Sequence, residues 1–318
     1  MEDTRQALPL GTQLCCENGK TYTIFSDNVG RGGNSLIYSA KCNDSERIFI
    51  IKECFPIHET YIFERKENGS VGVPDGTNPG EASLYLEKCF LRLQQECDLG
   101  QKIAVNSGRV IAPWENISVS NIAYNGKTYS CDHNRFIVME QYDQKGYFLS
   151  DILDECAKTR SSRHLLRCSG APDIYTVASI IVEVLKALDT VHKAGYIYGD
   201  IQMGNLFFVD SRFELGDIGT GHLLDFGSSR ILMSDNKTEE ISDMEIFSTY
   251  GYQAPEILFN NDGHLRLTPA SDIFSVGCLM LYLIKGENYR KTHGYQLAKA
   301  AQKTYVSTRE LVDRIIIN

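Results

Sequence analysis

Two acidic side chains and an amide lie close together in the middle of this chain: Asp200, Asn205 five residues on, and Asp225 at the head of Asp225-Phe226-Gly227. Short apolar runs at Leu206–Val209 and His222–Leu224 stand between Asn205 and Asp225, so two strands ending in turns are expected to bring their loops together. Hard oxygen donors of this kind suit Mg²⁺, which keeps several waters and needs only one or two protein ligands. A carboxylate that positions an attacking hydroxyl, beside groups that hold the metal, is what phosphoryl transfer requires. Singly, each of these residues is equally at home in a turn. Their order and spacing together carry the chemistry.

Two features nearer the start would serve the same chemistry. Val29-Gly30-Arg31-Gly32-Gly33-Asn34-Ser35-Leu36-Ile37 sets glycines between the strand-like runs Thr21–Ser26 and Leu36–Lys41. Glycine lets a backbone approach phosphate oxygens and adopt φ/ψ values closed to other residues. On its own, an ordinary turn is the plainer reading of such a cluster. Lys52 lies in a third strand, Arg47–Glu53, among Ile48, Ile50 and Ile51. A lone cation among isoleucines calls for an anion, because unpaired burial is costly. On a sheet edge, the same side chain would pack its stem and keep its ammonium in water.

The elements that must position these groups change character along the chain. After the first strands comes a polar stretch, 58–80, read as an insertion or flexible connection. Glu81–Val105 has helical spacing, with Leu84, Cys89, Leu91 and Leu93 available to a core face. Strands are expected near Ile117–Tyr124 and Phe136–Tyr142. Asp173–Lys193 is the clearest helix, with Ile174, Val177, Ile181, Val184, Leu185, Leu188 and Val191 on one stripe, Asp173 as N-cap and Gly195 as stop. A further apolar helix runs from Ala270 to Ile284. A mainly β part followed by a mainly α part makes a bilobal α+β design.

Composition narrows the function classes. The chain has 318 residues, 42% hydrophobic and 23% charged, with a formal net charge of −9 and no cationic cluster. That balance argues against nucleic acid or an anionic membrane as the main partner. The ten cysteines include no CxxC pair and no zinc-finger spacing, which points to a reducing, cytoplasmic setting. No apolar run is long enough to span a bilayer and no signal peptide is read at the start.

In this order the motifs resemble the eukaryotic-like protein kinase family, over nearly the whole chain. The resemblance implies one kinase domain over 1–318. Its N-lobe, about 15–142, would be an antiparallel sheet with one regulatory helix, and its C-lobe, about 143–318, mainly helical. ATP and Mg²⁺ are the implied cofactors, and Ser/Thr hydroxyls of an unknown protein substrate, the kinase itself included, the implied acceptors. Asp200 becomes the catalytic aspartate, Lys52 the contact to the α/β-phosphates, and Asn205 with Asp225 the metal ligands. Gly30, Gly32, Gly33 and Ser35 form the phosphate-covering loop. Val29, Ile37 and Ile50 cover the adenine, Met139 is the gatekeeper, and the backbones of Glu140 and Tyr142 face the base. Glu96 is the chosen helix partner of Lys52, with Glu87 second. Ser248-Thr249-Tyr250-Gly251-Tyr252-Gln253-Ala254-Pro255-Glu256 matches the T-x-G-Y-x-A-P-E that closes the activation segment and is lacking in aminoglycoside-type phosphotransferases. Asp272 is expected to anchor the catalytic-loop backbone, and His192 to be structural. Leu8-Pro9-Leu10-Gly11-Thr12 and Ile51-Lys52-Glu53-Cys54-Phe55-Pro56 are similar to phrases of bacterial Ser/Thr kinases.

The chain departs from the family pattern in several places. Tyr198-Gly199 replaces His-Arg before the catalytic aspartate, and Gln202 replaces the lysine that neutralises the γ-phosphate. With an acidic activation loop (Glu239, Glu240, Asp243, Glu245), this implies a slower enzyme that needs no phosphate on Thr238, Ser242 or Ser248. The family's arginine partner for Glu256 is expected beyond Asn318, so a C-lobe cut short is expected. Gln202 and Gly199 also suit a nucleotide-binding pseudokinase acting as scaffold. Tyr198-Gly199-Asp200 faintly suggests a small-molecule phosphotransferase.

Overall fold

The β-branched and aromatic runs of the first third pair into one antiparallel sheet, and the apolar stripes of the later part coil into packed helices. A computed structural model describes residues 3–26, 30–45, 47–75, 80–105, 107–113, 115–130, 136–140, 146–150, 172–209, 217–241, 248–260, 265–285, 296 and 299–300. The chain divides into two units: Met1–Gln101 with Ala112–Asp143, and Lys102–Ile111 with Gln144–Asn318.

The first unit is built on β1 (Gln13–Cys16), β2 (Thr21–Ile24), β3 (Gly30–Arg31), β4 (Ser35–Cys42), β5 (Ile48–Cys54), β6 (Glu64–Arg65), β7 (Val71–Gly72), helix α1 (Gly80–Ala104), β8 (Glu115–Ile117), β9 (Val119–Tyr124), β10 (Lys127–Ser130) and β11 (Phe136–Glu140). The main sheet runs β10-β9-β1-β2-β4-β5-β11-β8, with β3 added on β4. Alternation sends Leu36, Tyr38, Ile51, Phe136 and Val138 to the core. The β9–β10 hairpin turns at Asn125-Gly126, both with positive φ as a two-residue hairpin turn demands.

Helix α1 buries Leu86, Cys89, Phe90, Leu93 and Cys97. The expected stripe is therefore half right. Leu84 and Leu91 are 57% and 61% exposed, because they share a face with Glu87 and Asp98 rather than with the core row.

The polar stretch 58–80 is not structureless, since β6 and β7 pair within it as a small antiparallel hairpin. Arg65 of β6 makes a buried bidentate pair with Glu53 of β5, at 2.8 and 2.7 Å. The Tyr38 hydroxyl donates to the same carboxylate at 2.7 Å, and the Arg65 guanidinium lies over the Phe55 ring.

The second unit holds α2 (Ile174–Lys193), α3 (Pro255–Leu258) and α4 (Pro269–Lys285), with the short strands β12 (Gly146–Phe148), β13 (Tyr196–Ile197), β14 (Leu206–Val209), β15 (Thr220–Leu223) and β16 (Arg230–Ile231). Asp173 caps α2 by accepting from the Tyr175 and Thr176 amides at 2.8 and 3.1 Å. Gly195, at φ +86°, ends the helix run. The buried row is Val177, Ile180, Val184, Ala187, Leu188 and Val191, and α4 packs against α2. Ile174 and Leu185, expected on that stripe, are 45% and 38% exposed. No helix among the described residues is long and apolar enough to cross a membrane.

Removing one member of a buried ion pair leaves the other charged and unpaired. Arg65→Ala is therefore expected to cost about 3–5 kcal/mol of unfolding free energy, read by urea titration.

Candidate functional site

In the first unit, register decides which side chains share a face. Lys52 stands opposite Ile37 on one side and Ile137 on the other, while Ile50 stands opposite Met139. Cross-strand partners point the same way, so Lys52, Ile37, Ile50 and Met139 occupy one face of the sheet. Lys52 is nearly buried there, and its Nζ donates to both carboxylate oxygens of Glu96 on α1, at 2.8 and 2.7 Å. Glu87, the other candidate, lies on the exposed side of α1.

The glycine stretch forms a tight turn beside this face. Gly30 pairs with Ile37, and a Cβ at Gly30 would lie only 3.1 Å from that of Ile37. The Gly32 amide donates to the Ser35 carbonyl at 3.0 Å and closes the turn. Val29 and Tyr142 lie outside the described residues, as does the side chain of Glu140.

In the second unit, β13 leads into the loop that carries Asp200, and a single 3₁₀ turn at Met203–Asn205 leads out into β14. Asp200 accepts four hydrogen bonds. Its Oδ1 takes the Thr249 amide at 2.9 Å and the Thr249 hydroxyl at 2.8 Å. Its Oδ2 takes the side-chain amides of Gln202 and Asn205, each at 2.9 Å. Burial pushes the Asp200 pKa above the usual carboxylate range; the Thr249 hydroxyl opposes this, and the charge of nearby Asp225 adds to it.

Asp272, buried in α4, holds this loop by its backbone. Its carboxylate accepts the Tyr198 amide at 2.9 Å and the Gly199 amide at 2.8 Å, and contacts His192 Nε2 at 2.8 Å. Tyr198 is itself fully buried, donating its hydroxyl to the Leu224 carbonyl and meeting the Phe226 ring edge-on at 5.4 Å. Gly199 sits at φ +86°, where an added Cβ would lie 2.6 Å from the Ser228 carbonyl oxygen. The glycine is thus a steric necessity in this loop, besides being the absence of an arginine.

Asp225 holds a left-handed backbone, φ 58° and ψ 82°, unusual for a residue with a side chain. The Leu224 amide just before it donates to the Asn205 carbonyl at 3.1 Å, tying the two loops together. Asn205 spends its amide nitrogen on Asp200, so its side-chain oxygen is the atom it can offer a cation. With the Asp225 carboxylate, whose charge is felt at Asp200, this would be a hard-oxygen donor set of the chemistry that a small divalent cation prefers. No group of three or more His, Cys, Asp or Glu suited to a metal occurs among the described residues.

Two contacts were not singled out from sequence. Thr249 enters the sequence reading only as a letter of T-x-G-Y, and its place in that motif is the available signal. Glu256, whose partner was expected beyond Asn318, accepts the Ser271 hydroxyl at 2.6 Å. Of the three hydroxyls expected in an activation loop, Thr238 is 1% exposed and bonded to the Leu267 amide, and Ser248 accepts from Gln253; Ser242 lies outside the described residues.

A family model described as Protein kinase domain matches residues 111–314. The mitogen-activated protein kinase MKC1 of Candida albicans is 27% identical over 265 residues, 81% of this chain and 48% of that protein. Mitogen-activated protein kinase 12 of Homo sapiens is 33% identical over 138 residues, 43% of this chain and 33% of that protein. The probable serine/threonine-protein kinase PknB of Bifidobacterium longum is 27% identical over 135 residues, 42% of this chain and 18% of that protein. The chain spans about half, or less, of the length of these relatives. Among solved structures, vaccinia related kinase 3 gives a TM-score of 0.47 at 14% identity, over 88% of this chain and 69% of that one.

Gly195 and Gly199 have the same φ, but only Gly199 would meet a backbone atom on gaining a Cβ. Gly195→Ala is expected to cost about 1–2 kcal/mol from left-handed strain alone. Gly199→Ala should lower the thermal midpoint clearly further, because the Ser228 backbone cannot yield as a side-chain tip would.

Proposed function

Because the chain belongs to the protein kinase domain family, we propose that it transfers the γ-phosphate of Mg·ATP to Ser or Thr hydroxyls of proteins, its own included. The observation that carries this reading is the setting of Asp200: a carboxylate oriented by four donors, with its pKa raised, next to Asp225 and Asn205. A raised pKa suits a group that accepts a hydroxyl proton as the phosphoryl group moves. Asn205 and Asp225 would hold Mg²⁺, which when bound neutralises charge on the phosphates.

The first unit supplies the nucleotide contacts in this reading. Lys52, steered by Glu96, faces the α/β-phosphates; Gly30, Gly32, Gly33 and Ser35 cover them. Ile37 and Ile50, with Val29, cover the adenine, whose edge meets Met139 and the backbones of Glu140 and Tyr142. Domain limits follow the same reading: one kinase domain over 1–318, with lobes of about 15–142 and 143–318. The Leu8–Thr12 and Ile51–Pro56 phrases favour a bacterial Ser/Thr kinase type, acting in a cytoplasmic setting.

Gln202 lends the reading its particular character. Its amide is bonded to Asp200 and brings no charge to the transferred phosphate. A charge-assisted hydrogen bond is worth about 1.5–3 kcal/mol, or roughly one to two powers of ten in rate. The neutral residue is also the observation that favours the second reading, a nucleotide-binding pseudokinase acting as scaffold.

Labelled γ-phosphate should pass from Mg·ATP to the protein and to a generic Ser/Thr substrate, and Asp200→Ala should abolish it. No transfer with ATP still bound would favour the scaffold. Gln202→Lys is expected to raise the transfer rate, and an unchanged rate would remove position 202 from the mechanism. Ser242→Ala and Ser248→Ala should leave the rate intact, since the loop is acidic.

A further inference from the structure

Arg5 is an unusual residue to bury. Its side chain is 5% exposed, and the guanidinium spends its donors on backbone: the carbonyls of Gly32 at 2.8 Å and Ser35 at 3.3 Å, and that of Phe55. Asp3 grips the other edge of the fork, at 2.9 Å to Nε and 2.6 Å to the terminal nitrogen. These bonds hold the Asp3 carboxyl well below the usual carboxylate range. Arg31, in the glycine stretch, closes the arrangement by reaching the Arg5 carbonyl at 3.1 Å and Asp3 at 3.2 Å.

The carbonyls of the glycine turn are drawn inward one after another. Gly32 is held by Arg5, Gly33 by the Ile57 amide at 2.9 Å, Asn34 by the Phe55 amide at 3.0 Å, and Ser35 by Arg5 together with the Gly32 amide. In a trans peptide the carbonyl of one residue and the N–H of the next point in opposite directions. Pinning these carbonyls therefore turns the amides of Gly33, Asn34 and Ser35 away from the groups that hold them. Successive amides presented together make an anion-binding concavity. Two of the peptides are fixed by backbone partners, whereas among the described residues the Gly32–Gly33 peptide is fixed through Arg5.

We propose that Arg5 is a positioning residue for phosphate recognition, acting through the Gly32–Gly33 peptide so that the Gly33 amide is presented to the triphosphate. The proposal rests on the nucleotide reading given above. It assigns Asp3 and Arg5 a part in binding strength for the phosphates and none in binding the base. Lysine would not replace Arg5 well, because one ammonium lacks the planar fork that spans several carbonyls.

The test compares Mg·ATP with adenosine, which lacks phosphates, by calorimetry on the native chain and on Arg5→Ala. Loss of one charged hydrogen bond's worth of orientation should raise the Kd for Mg·ATP about tenfold while that for adenosine is unchanged. If the alanine variant fails to fold, Arg5→Lys should show the same selective loss at smaller size. Equal weakening of both ligands, or weakening of neither, would overturn the positioning role. A native chain that binds neither ligand would overturn the nucleotide reading, and the brace with it.

Discussion

A charge withdrawn from water must meet its opposite or be supplied with hydrogen bonds, and most of the geometry of this protein follows from that demand. Lys52 is tolerable among isoleucines because Glu96 reaches it from α1, which fixes the helix rotation against the sheet. Glu53, the next residue, points to the opposite face and is answered by Arg65 and Tyr38. One strand thus carries a cation to one face and an anion to the other, and each is met by a different element.

The second unit meets the same demand with backbone. Asp272 is satisfied by two amides and an imidazole, and it thereby sets where Tyr198 and Gly199 lie. Asp200 follows immediately and is oriented by what that placement allows: Thr249 on one oxygen, Gln202 and Asn205 on the other. Positive φ at Gly199 and Asp225 marks where the chain bends sharply to achieve it.

What was legible in the sequence was mostly local. The N-cap at Asp173, the stop at Gly195 and the strand at Leu206–Val209 depend on near neighbours, and the structure has them there. The trio Asp200, Asn205 and Asp225 could be read because spacing and turn residues are local too. Rotation of α1 could not: Leu84 and Leu91 are as apolar as Leu86 and Leu93, and only the position of the sheet distinguishes them. Arg5 was invisible for a similar reason, since apart from Asp3 its guanidinium partners lie 27, 30 and 50 residues away and are carbonyls, which every residue has. Gly199 was read as a missing arginine, while its reason is an oxygen 2.6 Å from a hypothetical Cβ.

The grip of Asp272 has a kinetic meaning as well. Its two amide partners belong to a loop, but the carboxylate belongs to α4 and the imidazole beside it to α2, and these helices pack on each other. The loop is therefore tied to the helix pair as well as to its own turn contacts. Its Tyr198 and Gly199 amides are expected to belong to the same cooperative folding unit as the helical core instead of fraying like an ordinary surface turn. The residues proposed to carry chemistry would thereby unfold late, with the helical core.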